Sequence, residues 1–506
     1  MLGKILEYEQ IISTARSLRA EKKTIVHCHG VYDLLHVGHI KHLEAARRFG
    51  HVLIVTITPD RFVNKGAHRP AFTESLRAEA LAALTCVDYV AINTRQTAVE
   101  LIGDLRPDVY VKGSVPGNGK RDHTDAIVLE EEAVKAIGGR MVLTDEATYS
   151  SSTLINRFLD VFTPEAKSFL AAFRQRYAPE RIVADLQAMR SMKVLTIGET
   201  IIDQYVFCDA MGRTNKEAVL VVGENRTETY LGGILAIANH LSGFCDDLGV
   251  VSALGKVESY GEFVGEGLKP NVARQFVTMS GVPTMVKRRY VEEYLGRKLF
   301  EVYNTKAVRL EGADEAAFVE RLDAVVPQYD VVIVADYGHG LLTDRAIARI
   351  CERARFLAVN TQTNAGNLGF HVISKYPRAD FIAIAEPEVR LQHRDHNGEL
   401  EKLTADTAGA LGARRMIVTR GKRGCLCYDA TEGFADVPAV AVKVVDRVGS
   451  GDALLALSAP AAAMALPMQL VGFIGNVAGA EACAVMGNRS SIEPASFFRH
   501  VTSLLM

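Results

Sequence analysis

At 506 residues the chain exceeds what a single hydrophobic core holds, so two or three domains are expected. Its 48% hydrophobic and 23% charged content excludes a fibrous or disordered chain and fits a soluble globular protein. The net charge of −2 gives no reason to expect nucleic acid or an anionic membrane as a partner, although a local basic pocket stays compatible with it.

In chain order, "MLGKILEYEQIISTARSLRAEKK" reads as an amphipathic helix without the apolar centre of a signal peptide. Short β-branched runs follow at 24–29, 51–58, 87–92, 108–113 and 140–144, separated by helical patterns such as "HIKHLEAARRFG" and "ESLRAEALAALT". This alternation predicts a parallel sheet covered by helices, with ligands beyond the carboxyl ends of the strands. Residues 160–192 carry helical patterns without strand signals and read as a connector between a first domain over 1–159 and a second over 193–506. The second domain is again α/β, with strands at "MKVLTIGETIID", "LGVVSALG", "DVVIVADYG", "RFLAVNTQ", "DFIAIAEP", "RMIVTRG" and "CLCYD". The uncharged stretch from Ala453 to Gly475 is long enough to span a bilayer, but its two prolines and many alanines read as two consecutive buried helices. The eight cysteines are scattered, with Cys425 and Cys427 the closest pair and no CxxC. Such usage argues against a disulfide framework or structural zinc and suits a reducing, cytoplasmic setting.

Six of the fourteen histidines fall between His27 and His51. Within "HGVYDLLHVGH" a strand ends, Gly30, Val31 and Tyr32 turn the chain, and a helix begins near Gly38–His39. A helix N-terminus offers free N–H groups to an anion, which His36 and His39 flank and which Gly38 lets come close. Satisfied imidazoles and a zinc site are the competing readings. Cys28 and Asp33 do not complete a ligand spacing, and GxGxxG is absent. The whole stretch resembles the signature of the cytidylyltransferase-like nucleotidyltransferases, whose HxGH motif is met by His36, Gly38 and His39. The resemblance continues through Lys65, Gly66, Arg69 and Pro70, then Glu74 and Arg77 in "ESLR", Lys112–Gly113 in "DVYVKG", and Ser151, Ser152 and Thr153 in "YSSSTLI". It implies attack of a substrate phosphate on the α-phosphorus of an NTP, with His36 and His39 holding the triphosphate and Gly30, Val31, Tyr32, Gly38 and Arg77 among the nucleotide-binding residues. Lys65 and Lys112 would neutralise it, and Ser151–Thr153 would add a second phosphate-binding helix start. A phosphate monoester, with a second pKa of about 6, is already mostly ionised at neutral pH and needs no general base. Catalysis is then positioning and charge neutralisation. The loop "SVPGNGKRDHTD" after "VKG" is longer than is usual in the family, where the acceptor would dock.

In the second domain, "VVDRVGSGDALLAL" sets Gly449, Ser450 and Gly451 before Asp452 and a helix. The bland reading is an N-capped helix after a tight turn. The chemical one is an anion-binding turn whose carboxylate accepts a hydroxyl proton. "DRVGSGDA" resembles the C-terminal signature of the ribokinase-like sugar kinases, in which this Asp is the base. The resemblance extends to Asp203 in "IGETIID", Gly232–Gly233 in "LGGILAIANHL", Asp336 in "VADYGHG" and Arg213 in "GRTNKEA", which it implies are sugar-facing. Ala236 stands where the family has an asparagine, with Asn239 the nearby substitute, and His339 stands where heptose kinases have a lysine. Both departures lie on the sugar side.

Together the modules resemble the bifunctional heptose kinase/adenylyltransferases with the order reversed. The resemblance implies phosphorylation of a sugar or sugar phosphate, then nucleotidyl transfer from ATP or CTP, with magnesium as cofactor and a homodimer or larger as assembly. The alternative is a transferase whose kinase-fold domain serves as a sugar-binding regulator or dimer scaffold.

Overall fold

The computed structural model describes residues 2–63, 70–95, 97–113, 125–144, 162–304 and 309–505. They form two compact units, the first up to Val161 and the second over Phe162–Leu505.

The first unit is a six-stranded parallel sheet: β1 (Ile5–Leu6), β2 (Ile25–Gly30), β3 (Val52–Ile57), β4 (Tyr89–Ile92), β5 (Val109–Gly113) and β6 (Arg140–Thr144), in the order β1-β4-β3-β2-β5-β6. All six residues of β3 are buried, because helices cover both faces and leave no polar side to the strand. Strand alternation sorts the core. Val26, Cys28, Leu53 and Val55 pack with Leu43 and Leu81 on one face, and Ile25, Val52 and Ile54 pack with Ile11, Leu101 and Leu105 on the other. After β2 the chain moves outward to β3 and β4, then returns to place β5 on the other side of β2. The strand order therefore reverses between β2 and β5, and the crevice at their carboxyl ends is where such a sheet takes ligand.

The second unit holds a nine-stranded sheet. Its strands are β7 (Lys193–Gly198), β10 (Asp247–Val257), β11 (Val272–Pro283), β14 (Val331–Asp336), β15 (Phe356–Thr361), β16 (Phe381–Ala385), β17 (Arg415–Thr419), β18 (Cys425–Asp429) and β19 (Gly433–Val437), in the order β11-β10-β7-β14-β15-β16-β17-β18-β19. Pairing is parallel as far as β17 and antiparallel through β18 and β19. A smaller four-stranded sheet, β13-β12-β8-β9, is built from β8 (Thr200–Arg213), β9 (Leu220–Gly233), β12 (Met285–Glu292) and β13 (Arg297–Tyr303). The stretch from Ala453 to Gly475 falls on two buried helices, Ser450–Ala463 and Met468–Cys483. Among the described residues no helix is long and apolar enough to cross a membrane.

The segment expected to connect the domains does more than link them. Helices Pro164–Arg176 and Pro179–Ala188 bury Leu170, Phe173, Ile182 and Leu186 in the second unit's core, where Phe173 meets Phe473 at 4.5 Å between ring centroids. The spacing of Ile182 and Leu186, one helical turn apart, makes an apolar face that has to be covered.

Candidate active sites

In the first unit, the turn after β2 is held in an uncommon conformation. Tyr32 and Leu34 have φ of +50° and +48°, left-handed values that side-chain-bearing residues keep only when their surroundings impose them. The main restraint is Arg77, which is buried on the helix Glu74–Ala82. Its Nε donates to the Phe72 carbonyl at 3.1 Å, its Nη1 to Val31 and its Nη2 to Thr58 at 2.9 Å, and Nη2 also pairs with Asp60 at 2.6 Å. The Asp33 carboxylate adds to this by accepting from the Ala71 amide at 2.8 Å. Arg77 was expected at the nucleotide. The structure gives it a different task, because a guanidinium engaged by three carbonyls and a carboxylate is a clamp for the loop and not a phosphate ligand. Arg77→Lys is therefore expected to destabilise the first unit by about 3 kcal/mol, since an ammonium cannot fork to the carbonyls it leaves unsatisfied. Chemical denaturation would show this as a lowered midpoint, and an unchanged midpoint would remove the clamp assignment.

His36 caps the helix Val37–Arg47, its Nδ1 accepting the Gly38 amide at 3.1 Å. An accepting Nδ1 puts the proton of the neutral ring on Nε2, and that nitrogen is buried with no partner among the described residues. Burial lowers the pKa of His36, which favours the neutral ring. The His39 ring stacks on His36 at 3.9 Å between centroids, and Tyr32 meets His39 edge-on at 5.4 Å. A ring donor without an acceptor beside a helix N-terminus suits a phosphate oxygen.

Four other histidines of the cluster have structural partners. The Thr56 hydroxyl sits 2.8 Å from both His27 Nε2 and His29 Nδ1, and His29 Nε2 reaches Thr58 at 3.2 Å. Burial, aided by the charge of Lys112, pushes His29 down to about 3. His42 bonds to Thr144 at 2.7 Å, and His51 accepts the Thr24 amide at 3.0 Å. Gly30 lies against the Tyr32 ring, where an added Cβ would come within 3.1 Å of it. Lys112, at the end of β5, is ion-paired with Glu130. Lys65, Ser151, Ser152 and Thr153 lie outside the described residues.

In the second unit, Asp452 occupies the first turn of the helix Ser450–Ala463 and is buried. Its Oδ1 accepts from the Tyr337 hydroxyl at 2.9 Å and from Gln362 Nε2 at 3.0 Å, whereas Oδ2 accepts from no described residue. Burial, reinforced by the Asp203 carboxylate, raises its pKa to about 6. Gly449 precedes it with φ of +83°, and an added Cβ there would fall 2.3 Å from Asn488 Oδ1, so only glycine fits. The turn is fastened by Asp446, which accepts from the Tyr205 hydroxyl at 2.7 Å and the Val448 and Gly487 amides at 3.1 Å, and pairs with Lys298. The amides of Gly451 and Asp452 donate to no described residue, whereas Ser450 is turned back onto Arg447. The result is an anion-binding turn with a carboxylate beside it.

Asp203 is brought to this site by β8. Arg289 binds its Oδ1 at 2.5 Å, Asn488 approaches Oδ2 at 3.3 Å, and Gly232 leaves the space that the carboxylate fills. Gly233, with φ of +58°, starts the helix that follows β9. Arg213 lies exposed at the far end of β8.

Two residues expected at the sugar are engaged elsewhere. The Asn239 amide is tied to the Gly267 carbonyl at 2.9 Å and the Lys269 amide at 3.1 Å, which fixes a loop. Asp336 is buried and taken by Lys375 at 2.6 Å, the Tyr376 hydroxyl at 2.7 Å and the Gly338 amide at 3.1 Å. With Glu199, which accepts the Tyr337 and His339 amides at 3.0 Å each, it positions the turn that presents Tyr337 to Asp452. Tyr337, Gln362, Arg289 and Asn488 were not anticipated from sequence. No spacing rule marks them, since Tyr337 and Gln362 meet Asp452, and Arg289 and Asn488 meet Asp203, only through the fold.

Residues 27–157 match the family described as cytidylyltransferase-like, and residues 191–495 match the pfkB family of carbohydrate kinases. The chain is 41% identical over 165 residues to the bifunctional protein HldE of Syntrophotalea carbinolica, covering 31% of this chain and 32% of that protein. It is 39% identical over 155 residues to HldE of Geotalea uraniireducens, covering 30% of each. The chain thus spans about a third of the length of the curated relatives it matches. A crystal structure of a phosphofructokinase-2 mutant from Escherichia coli shares the fold, with a TM-score of 0.50 at 15% identity over 61% of this chain and 99% of that one. The kinase match takes in the Asp452 turn, Asp203 and more than half of all residues, and the chain belongs to the pfkB family of carbohydrate kinases.

Proposed function

We propose that this chain is a bifunctional enzyme that makes a nucleotide-activated sugar. The second unit phosphorylates a heptose-like sugar or sugar phosphate at C1. The first unit then joins the resulting sugar 1-phosphate to a nucleotidyl group from ATP or CTP and releases pyrophosphate. The observation that carries the reading is Asp452, a buried carboxylate with one oxygen open, beside the free amides of its own helix and within the field of Asp203. The substrate hydroxyl gives its proton to Oδ2, its oxygen forms the new bond to phosphorus, and the diphosphate leaves with the electrons of the broken bond. In the first unit, His36 Nε2 and the helix start take the triphosphate oxygens, and no protein base is needed.

Support comes also from the two family matches and from relatives whose name describes them as bifunctional. Among the described residues no three His, Cys, Asp or Glu side chains converge to hold a metal, so no residue is assigned to magnesium, which enters with the nucleotide. A homodimer and a cytoplasmic location belong to the same reading.

Phosphoryl transfer is expected to fall as pH drops through about 6, where Asp452 takes up a proton and can no longer accept one from the hydroxyl. A pH profile of kcat/KM that stays flat down to pH 4.5 would contradict this. The whole reading is tested by mass spectrometry of reactions containing ATP, CTP, magnesium and a panel of sugars, sugar phosphates and sugar 1-phosphates. A nucleotide sugar is the expected product. Failure of every acceptor to gain either a phosphate or a nucleotidyl group would overturn it.

A further inference from the structure

Lys287 lies on β12, in register beside Asp203 of β8, and is only 8% exposed. Its ammonium forms no hydrogen bond or ion pair with any described residue. The Tyr303 ring centroid lies 5.2 Å away and that of Tyr337 5.8 Å away. Neighbouring carboxylates already have partners: Asp203 has Arg289 and Asn488, Glu301 has Arg289, and Glu199 has the amides of Tyr337 and His339. Burial lowers the lysine's pKa, as expected of an ammonium stripped of water without a full counter-charge. Tyr337 links this cation to the reacting end of the site, one face of its ring near Lys287 and its hydroxyl on Asp452. His339 adds a second buried polar atom without a partner, Nε2, and its ring meets Tyr303 at 6.1 Å. The ammonium feels the Asp203, Glu301 and Glu199 carboxylates and that of Asp452 without a direct ion pair to any of them, and the His339 Nε2 nearby is buried without a hydrogen-bond partner, which leaves donors for an incoming phosphoryl oxygen.

We propose that Lys287 is a catalytic residue of the kinase half, whose ammonium binds the oxygens of the phosphoryl group as it passes from nucleotide to sugar. This rests on the kinase reading above. As the hydroxyl oxygen bonds to phosphorus, the bond from phosphorus to the diphosphate oxygen breaks, with its electron pair remaining on the diphosphate. The hydroxyl proton goes to Asp452, and Lys287 keeps its own protons, supplying charge where negative charge concentrates.

The test uses the full chain and no sugar. Binding of magnesium–ADP, with and without aluminium fluoride as a mimic of the transferring group, is measured by calorimetry for wild type, Lys287→Met and Lys287→Arg. Lys287→Met is expected to bind magnesium–ADP like wild type but to lose roughly 10²-fold of the tightening that fluoride brings, and Lys287→Arg to recover part of it. The melting temperature of Lys287→Met should hold or rise, because methionine relieves a buried charge. A lowered melting temperature with the fluoride tightening intact would make Lys287 structural and overturn the proposal. If wild type itself gains nothing from fluoride, the kinase reading falls and takes this inference with it. If wild type tightens with fluoride and Lys287→Met tightens as much, this inference falls alone.

Discussion

Asp452→Asn is expected to lower kcat for phosphoryl transfer by roughly 10³-fold or more while making the second unit more stable. The loss follows from geometry, since the asparagine nitrogen or oxygen at the Oδ2 position takes no proton from a substrate hydroxyl. The gain follows from linkage. Burial raises the carboxyl from its ordinary 3.8 to about 6, so the unfolded chain ionises more readily than the folded one. Above pH 6 the ionised side chain therefore destabilises the fold by about 3 kcal/mol, and the penalty fades as pH falls from about 6 to about 4, below which it is gone. An asparagine keeps an acceptor for Tyr337 and Gln362 without the charge. Thermal melts at pH 7.5 and pH 4 separate the effects: the variant should exceed wild type at the higher pH and approach it at the lower. A variant that turns over sugar at the wild-type rate would leave the second unit without a kinase base at Asp452.

His36→Ala and His39→Ala are each expected to reduce nucleotidyl transfer by about 10²–10³-fold, the usual loss when one donor to developing phosphate charge is removed. The two rings stack, so the double variant should lose less than the product of the single losses. His36→Ala carries a second defect, because it uncaps Gly38 and costs the helix about 1 kcal/mol. His36→Asn discriminates between the roles: asparagine restores the cap and the melting temperature but not the Nε2 donor, so transfer should stay low. If His36→Asn recovers activity along with stability, His36 is a cap and not a phosphate ligand. Phosphoryl transfer by the second unit should be unaffected in all of these variants.

Strands with an unbroken apolar run were readable in advance. "HVLIVTIT" became β3 and "DVVIVADYG" became β14, because a strand buried on both faces reads as a near-continuous apolar run, interrupted here only by Thr56 and by the terminal Asp336. The small sheet was not, as β9 runs through "GENRTETY" with four successive exposed residues, no buried one and no alternation, and resembles a polar loop. The HxGH pair and the GSGD turn were legible because each depends on local backbone geometry that a short motif encodes. Arg77 misled for the opposite reason: its motif position was right, but only the tertiary fold reveals that carbonyls of Val31, Thr58 and Phe72 already occupy its donors. Lys287, Tyr337 and Asn488 reach the second site from separate strands and turns, and no one-dimensional spacing marks them.

If one chain performs two successive steps on one sugar, the sugar 1-phosphate should bypass a block in the first step. Asp452→Asn and the His36→Ala/His39→Ala double variant are each given the starting sugar or its 1-phosphate, with ATP, CTP and magnesium, and nucleotide sugar is followed by mass spectrometry. Asp452→Asn is expected to form product from the 1-phosphate alone and the histidine variant to form little from either, and mixing the two should restore synthesis from the starting sugar. Product from the starting sugar with Asp452→Asn by itself, or none from the 1-phosphate with wild type, would contradict two successive steps on one sugar.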